Sequence, residues 1–249
     1  MPEPWYEDDR FWTLLEPQLF DELRKKSAAE EAAQTARLLK LEPPAQILDL
    51  CCGPGRHSVE LAKLGYRVTG VDRTARYLER AKAHAAANGV TVEFVQDDMR
   101  AFLRPAGFDG AINMFTSFGY FEEVDEDRQV LRNLQESLRP GGRLVMDMAG
   151  KEVLARIYTP RHWVELPDES LVLFDREVTP GWGAVRNRWI YMTGAGRTEF
   201  NFTHRIYSAA ELAASLEGAG FVVEGTYGGL DARPYDRSAE RLVAVARVK

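Results

Sequence analysis

The stretch Ile47-Leu-Asp-Leu-Cys-Cys-Gly-Pro-Gly-Arg-His-Ser58 decides the fold, because an apolar strand ends in it and a helix begins in it. Gly53 and Gly55 stand at the junction, where the lack of a side chain lets the backbone turn tightly and approach a ligand closely. The free N–H groups at the start of the helix would point at an anionic group of that ligand. The stretch therefore predicts a site for a nucleotide-like ligand, with Asp49 as an acceptor at the strand end.

A second predicted strand begins at Tyr66 and ends in the carboxylate of Asp72. An acid at this place can accept hydrogen bonds from both hydroxyl groups of a ribose. Two cofactors fit this pattern, a nicotinamide dinucleotide and S-adenosylmethionine. The dinucleotide fingerprint has a third glycine that lets the helix pack closely on the strand, whereas Ser58 stands there in this chain. The pattern therefore favours S-adenosylmethionine.

The spacing Asp49-x-Cys51-x-Gly53-x-Gly55 resembles the first motif of class I S-adenosylmethionine-dependent methyltransferases. Cys51, a compact residue, stands where the family usually has its first glycine. Three later segments resemble further motifs of this family in the same order: Val92–Met99, Phe108–Tyr120 and Leu138–Asp147. Motifs in a fixed order are far more specific than a single glycine pattern, and the resemblance covers residues 45–149 well.

This resemblance implies S-adenosylmethionine as cofactor and suggests roles for individual residues. Asp98 would accept from the adenine amino group, Met99 would pack on the ring, and a backbone carbonyl near Met114 would meet the amino group of the methionine moiety. Arg56 could hold the methionine carboxylate, or it could be a solvated arginine at a helix start. The predicted cofactor-binding residues are Tyr6, Asp49, Cys51, Gly53, Gly55, Arg56, Asp72, Arg73, Asp98, Met99, Met114 and Phe115.

The alternation of predicted strands and helices indicates an α/β fold, a doubly wound, mainly parallel seven-stranded sheet of the Rossmann-like kind. A capping box at Ser27–Glu30 predicts a helix over residues 27–41. After Gly150 the pattern changes to short alternating segments separated by glycine turns, which predicts a small antiparallel insertion. We expect a methyltransferase domain formed by residues 1–150 and 206–249 and a substrate-side insertion at 151–205. Residues 1–41 would form a helical cover, either a lid over the cofactor or a cap on a sheet edge.

The acceptor would lie at the carboxyl edge of the sheet, where open α/β folds bind their ligands. By resemblance, aromatic residues after the fourth strand shape the methyl-transfer chamber, although they could also belong to the core. Arg205 and Tyr207 share one face of a predicted strand, which is either a substrate surface or an ordinary exposed face; His204 is expected to face the core. The predicted substrate-binding residues are Ser117, Phe118, Tyr120, Arg205 and Tyr207.

Charge and composition narrow the function further. The 249 residues carry a net charge of −6, so no global positive field gathers nucleic acid or anionic lipid. The segment Asn113-Met-Phe-Thr lacks the two prolines found in enzymes that methylate nucleobase amino groups. Adjacent Cys51 and Cys52 fit neither a disulfide nor a zinc spacing. With no signal-like start and no long apolar run, we expect a cytoplasmic monomer or homodimer that binds no metal, nucleic acid or membrane.

These features predict methyl transfer from S-adenosylmethionine to an oxygen, nitrogen or carbon atom of a small molecule. Such a transfer is a direct displacement that depends chiefly on alignment, so no single residue is expected to be indispensable as a catalyst. Two alternatives stay open. One is a non-catalytic S-adenosylmethionine-binding sensor or partner subunit, and the other, less favoured, is an NAD(P)-dependent oxidoreductase.

Overall fold

The computed structural model describes residues 4–249 of the chain. In chain order its strands are β1 (Gln46–Leu50), β2 (Arg67–Asp72), β3 (Glu93–Gln96), β4 (Phe108–Asn113), β5 (Leu138–Met148), β6 (Arg161–Glu165), β7 (Leu171–Val178), β8 (Ala184–Thr193), β9 (Gly196–Arg205), β10 (Phe221–Tyr227) and β11 (Leu242–Val248). The α-helices are α1 (Asp9–Leu14), α2 (Glu16–Leu19), α3 (Glu22–Leu39), α4 (Arg56–Lys63), α5 (Ala75–Ala87), α6 (Val124–Ser137), α7 (Lys151–Ile157) and α8 (Ala209–Gly218).

Seven strands form the central sheet in the order β10-β11-β5-β4-β1-β2-β3. The first five strands of the chain pair in parallel, whereas β11 runs antiparallel to both β5 and β10. This confirms the predicted α/β fold with a mainly parallel seven-stranded sheet. Since β1 lies between β2 and β4, the carboxyl ends of these three strands meet at the point where the strand order reverses. Ligands of open α/β sheets bind at such a point.

The helix that follows β1, α4, begins at Arg56 as the sequence predicts. Its N-cap, Gly55, has a left-handed φ of 76°, and a Cβ added there would lie 2.8 Å from the Cβ of Ala81. The packing of α4 on α5 therefore requires Gly55, and a contact of Gly55 with a ligand stays a prediction.

The four strands β6-β7-β8-β9 form a separate antiparallel sheet, as expected for the insertion. One face of this sheet, its inner face, packs on residues 4–20, which we call the N-terminal segment. The contact is an apolar cluster formed by Phe11, Leu15, Leu166, Val172, Phe174 and Phe200. The opposite, outer face carries the exposed Trp163 and Met192. The N-terminal segment thus connects the insertion to the rest of the fold. The division of the chain at residues 150 and 206 stays a prediction.

The helix before β1 starts earlier than predicted. It is capped by Asp21, whose carboxylate accepts the N–H of Arg24 at 2.8 Å, and the Ser27 hydroxyl instead donates to the Arg24 carbonyl within the helix. Asp21 rather than Ser27 caps the helix because its carboxylate accepts from the first free N–H groups and its negative charge is stabilised by the helix dipole. Within residues 4–249 no helix is both long and apolar enough to span a membrane.

Candidate functional site

A pocket opens at the carboxyl ends of β1, β2 and β3, beneath the N-terminal segment. The predicted site residues that line it are Tyr6, Cys51, Gly53, Asp72, Arg73, Asp98, Met99, Ser117 and Tyr120. Residues that line it but were not predicted are Trp12, Phe20, Leu50, Val71, Thr74, Tyr77, Asp97 and Phe121. The acids, the glycine loop and several aromatic rings are thus brought together around one cavity.

Asp72 joins the end of β2 to the glycine loop. One carboxylate oxygen accepts the N–H of Gly53 and the other accepts the N–H of Thr74, both at 2.8 Å. Burial raises the pKa of Asp72, although these two backbone hydrogen bonds oppose the shift. A carboxylate offers about four acceptor positions, so two are left for hydroxyl groups of a ligand. The geometry fits the predicted ribose contact.

Asp98 is held by a neighbouring arginine. Arg100 donates to both carboxylate oxygens, at 3.0 and 2.6 Å, and also reaches Glu126 at 2.7 Å. Burial alone would raise the pKa of Asp98, but the hydrogen bonds from Arg100 outweigh it and the pKa falls. Asp98 therefore stays ionised beside the pocket, next to the unpredicted Asp97. Either acid is placed to accept from an amino group.

The N-terminal segment covers the pocket and is anchored to the sheet domain. Arg73 donates to the carbonyl oxygens of Tyr6 and Glu7, at 3.1 and 2.7 Å, and the Tyr77 hydroxyl donates to the Trp12 carbonyl at 2.7 Å. Tyr6 accordingly lines the pocket, in the place expected of a lid residue. Tyr77 was missed because, at a core-facing position of α5, it has the spacing of an ordinary packing residue.

Asp49 and Ser58 form a buried pair behind the pocket rather than part of its wall. The Ser58 hydroxyl donates to Asp49 at 2.5 Å, and both residues are almost wholly buried. Burial raises the pKa of Asp49 to about 6. Ser58 therefore attaches α4 to β1, which gives a physical reason for a serine where dinucleotide-binding folds have glycine.

Arg56 belongs to a cluster of three arginines around the Phe115 ring, which we call the arginine cluster. The guanidinium carbons of Arg24, Arg56 and Arg241 lie 5.2, 4.3 and 4.5 Å from the ring centre. These contacts fit cation–π attraction, which is strongest where water is excluded. Phe115 itself has a left-handed φ of 60°, and its N–H donates to Asp147 at 3.1 Å. The loop after β4 is thereby fixed.

Glu31 supplies negative charge to this cluster. It accepts from Arg56 at 2.6 Å and from Arg241 at 3.0 Å, and it lies 2.9 Å from Nε2 of His57. Burial opposes ionisation of Glu31, but His57 and the two arginines lower its pKa strongly. Arg56 is 6% exposed, and its Nη2 atom has no hydrogen-bond partner within residues 4–249. Although Arg56 does not line the pocket, it keeps one buried donor for an anion.

Two predicted residues after β4 lie in the core. The side chains of Met114 and Phe118 are buried, and Phe118 packs on Tyr207 with ring centres 5.3 Å apart. The Met114 carbonyl accepts the Ser117 hydroxyl at 2.8 Å. For Phe118 the structure therefore favours the core alternative over the chamber wall, whereas Tyr120 does line the pocket.

The structure does not bring Arg205 and Tyr207 to the pocket. Both donate to the same carboxylate oxygen of Asp127, at 2.5 and 2.7 Å, and Arg205 also binds the carbonyl of Phe121. β9 ends here and enters the core, so these polar side chains serve a buried acid of α6. His204 faces inward, as predicted, with Nε2 2.8 Å from the Phe118 carbonyl.

The two cysteines lie side by side at the end of β1. Cys51 and Cys52 are free, and burial raises the pKa of both thiols well above the usual value. Residues 4–249 contain no group of three or more His, Cys, Asp or Glu side chains placed to hold a metal ion.

The known proteins that this chain resembles are described as methyltransferases. Residues 47–142 match the model of a family described as a methyltransferase domain. A putative methyltransferase of Geobacillus sp. is 39% identical over 41% of this chain and 42% of its own length. The dTDP-3-amino-3,4,6-trideoxy-alpha-D-glucopyranose N,N-dimethyltransferase of Streptomyces venezuelae is 27% identical over 84% of this chain and 90% of its own. An S-adenosylmethionine-dependent methyltransferase from Clostridium acetobutylicum has the same fold, with a TM-score of 0.79, 15% identity, and coverage of 96% and 98%. The chain spans about two fifths of the length of the Geobacillus relative.

Proposed function

We propose that this chain, whose residues 47–142 belong to the class I S-adenosylmethionine-dependent methyltransferases, transfers the methyl group of that cofactor to a small-molecule acceptor. One observation carries the proposal: Gly53, Asp72, Asp98 and Met99 line a single pocket at the carboxyl edge of the sheet. These are the residues whose spacing resembles the cofactor motifs, and the fold places them around one cavity.

The cofactor fits this pocket by the chemistry of its walls. Asp72 has acceptor positions left for the ribose hydroxyls, and Asp97 or Asp98 can accept from the adenine amino group. Met99 and the aromatic side chains supply apolar surface for the base. Arg56 lies outside the pocket lining, but its unpartnered Nη2 atom makes it the group proposed to meet the methionine carboxylate. When bound, S-adenosylmethionine supplies a methyl group attached to a positively charged sulfur.

The residues of this chain would then act by alignment and by exclusion of water. Trp12, Tyr77 and Tyr120 form an aromatic wall on the lid side, with ring centres of Trp12 and Tyr120 6.2 Å apart. The faces of such rings attract a cation, and closure by the N-terminal segment keeps the reacting atoms dry. Tyr120 is partly buried, and desolvation raises the pKa of its hydroxyl. It would therefore orient an acceptor as a neutral hydrogen-bonding group.

A small molecule is the acceptor class best supported. The net charge of −6 disfavours nucleic acid. The Streptomyces venezuelae relative, by its name, methylates an amino group of a sugar attached to dTDP. Its match extends through the insertion, which supports an acceptor that lies between the insertion and the cofactor pocket.

Thermal unfolding with added ligands tests the cofactor, and labelled methyl transfer tests the activity. S-adenosylmethionine and S-adenosylhomocysteine should raise the melting temperature, with a gain of about 2.7 kcal/mol at ligand 100-fold above Kd, while NAD and NADP should not. A screen of small acceptors with methyl-labelled cofactor should then find turnover. Stabilisation by NADP alone would contradict the proposal, and binding without turnover on any acceptor class would favour a non-catalytic sensor.

A further inference from the structure

The inner face of the inserted sheet carries an arginine that binds no acid. Arg176 on β7 makes no side-chain hydrogen bond or ion pair within residues 4–249, and its guanidinium lies 5.0 and 5.9 Å from the ring centres of Phe174 and Trp189. Its neighbours along the strand, Asp175 and Glu177, alternate to the outer face, where Asp175 pairs with Arg161 at 3.0 Å. Burial lowers the pKa of Arg176, so its charge is held at a cost in free energy.

Two more polar groups on this face have no partner. The His162 ring stacks on Phe174 at 4.4 Å, and its Nδ1 atom is buried without a hydrogen bond within residues 4–249. The indole N–H of Trp5, which covers the same face, is also buried and unpartnered there. Buried polar atoms are nearly always satisfied in folded proteins. A partly buried cation that shares the Phe174 ring with the unsatisfied His162 has the composition of an anion site.

Arg176 is at one end of a row of neighbouring side chains that crosses the inner face from β7 to β9 and ends at the cofactor pocket. Arg176 pairs with Asn187, and Asn187 pairs with Phe202, so Arg176 and Phe202 lie across β8 from each other, on the order of 10 Å apart. The Phe202 ring stacks on Trp5 at 4.5 Å, and Trp5 lies 4.9 Å from Tyr120, a residue of the pocket wall. A ligand along this row would connect Arg176 with the site of methyl transfer.

We propose that Arg176, with His162 beside it, binds an anionic group, a phosphate or a carboxylate, of the methyl acceptor. This inference rests on the proposed function only in naming the ligand as the acceptor. The guanidinium offers several donors in one plane and suits the oxygens of either anion. Its contacts with the rings of Phe174 and Trp189, which meet edge to face, fix its orientation. The acceptor would thus be an elongated molecule with its anionic group remote from the methylated atom.

Calorimetric titration of the full chain with phenyl phosphate and with phenylacetate tests the site, in the presence and absence of S-adenosylhomocysteine. The variant Arg176→Gln is compared with wild type and with Arg186→Gln, an exposed arginine on the outer face of the adjacent strand. At least one anion should bind wild type and Arg186→Gln equally, and Arg176→Gln at least about tenfold more weakly. His162→Ala should lose a smaller factor. Arg176→Lys, which keeps the charge, should bind between the two.

Urea unfolding separates binding from structure, because Arg176→Gln loses no ion pair and only the contacts with two rings, so its unfolding midpoint should stay close to that of wild type. If only phenyl phosphate binds, the acceptor is a phosphorylated molecule. If only phenylacetate binds, the acceptor carries a carboxylate. Equal binding by Arg176→Gln and wild type, or binding of neither anion, would overturn the proposal, as would displacement of the anion by S-adenosylhomocysteine. If the anion binds through Arg176 while wild type fails to bind S-adenosylhomocysteine, the anion site stands and the proposed function fails.

Discussion

The carboxylate of Asp72 accepts the backbone N–H of Gly53 at 2.8 Å, so the acid that ends β2 holds the glycine loop that ends β1. The same carboxylate accepts the N–H of Thr74 ahead of α5. One side chain therefore organises both backbone segments that border the proposed ribose site. Any ligand contact made by Asp72 is made by a group that the fold has already oriented.

Replacing Asp72 by Ala should weaken S-adenosylmethionine binding at least about tenfold, because charge-assisted hydrogen bonds contribute roughly 1.5–3 kcal/mol each. It should also lower the free energy of unfolding by about 1–3 kcal/mol, since the N–H groups of Gly53 and Thr74 lose their acceptor. Calorimetric titration and urea unfolding measure the two effects.

An analogue of S-adenosylhomocysteine without the 2′-hydroxyl is the matched control for Asp72. Its affinity should fall less in the variant than that of the natural ligand, because one of the lost hydrogen bonds was never made. Equal losses for both ligands would mean that Asp72 acts only by holding the loop.

Arg56→Lys should weaken S-adenosylmethionine binding about tenfold while leaving 5′-methylthioadenosine binding unchanged. Lysine keeps a charge for Glu31 but lacks the planar group that carries the unpartnered Nη2. Methylthioadenosine has the same adenine and ribose without the carboxylate, so it reports on the rest of the pocket. Equal weakening of both ligands would assign Arg56 to the structure of the arginine cluster alone.

Much of the fold follows from local sequence. The boundaries of α4 and the capping box at Ser208 arise from glycine, alternating apolar residues and capping groups close together in the chain. Parallel pairing then follows, because helical connections between strands lead to it. The start of α3 was missed because both Asp21 and Ser27 are residues that can cap a helix, and the cap that forms is the earlier one, Asp21.

Residues of the candidate site could be predicted from the sequence where they follow the ends of strands. They could not be predicted where their place depends on contacts between segments that are distant in the sequence. Asp72 and Asp98 lie at strand ends, which the sheet gathers at one edge. By contrast, the ion pair of Arg205 could not be predicted, because nothing near Arg205 in the sequence indicates Asp127, a buried acid 78 residues away. Phe20 was missed for the same reason, since its ring meets the glycine loop only after the N-terminal segment folds back.

Stability should depend on His57 between pH 6.5 and 4. Burial lowers the pKa of His57 from 6.5 to about 4, so the folded state binds fewer protons than the unfolded state in this range. The contribution is fully present above pH 6.5 and is lost as the pH falls, by up to about 3 kcal/mol. Relative to His57→Gln, wild type should therefore lose stability steadily on acidification.

The comparison with His57→Gln is needed because the ionisation of Asp49 changes the free energy of unfolding with pH in the opposite direction. Its pKa is raised by burial to about 6, so its contribution is lost as the pH rises toward 6. That effect is common to wild type and variant and cancels in the difference. Urea unfolding at several pH values measures it, and a difference that does not change with pH would contradict the assignment.

Arg205→Met should destabilise the fold by at least about 2 kcal/mol without changing cofactor affinity, because it leaves Asp127 buried with one hydrogen bond fewer. One oxygen of Asp127 already lacks a partner within residues 4–249. Tyr207→Phe should also destabilise the fold, by about 1.5–3 kcal/mol, since it removes one hydrogen bond to a charged group. The double variant Asp127→Asn, Arg205→Met should recover part of the loss, because the uncompensated charge is gone, and a double-mutant cycle in urea measures this coupling. A raised acceptor KM with unchanged stability would instead return Arg205 to the acceptor site.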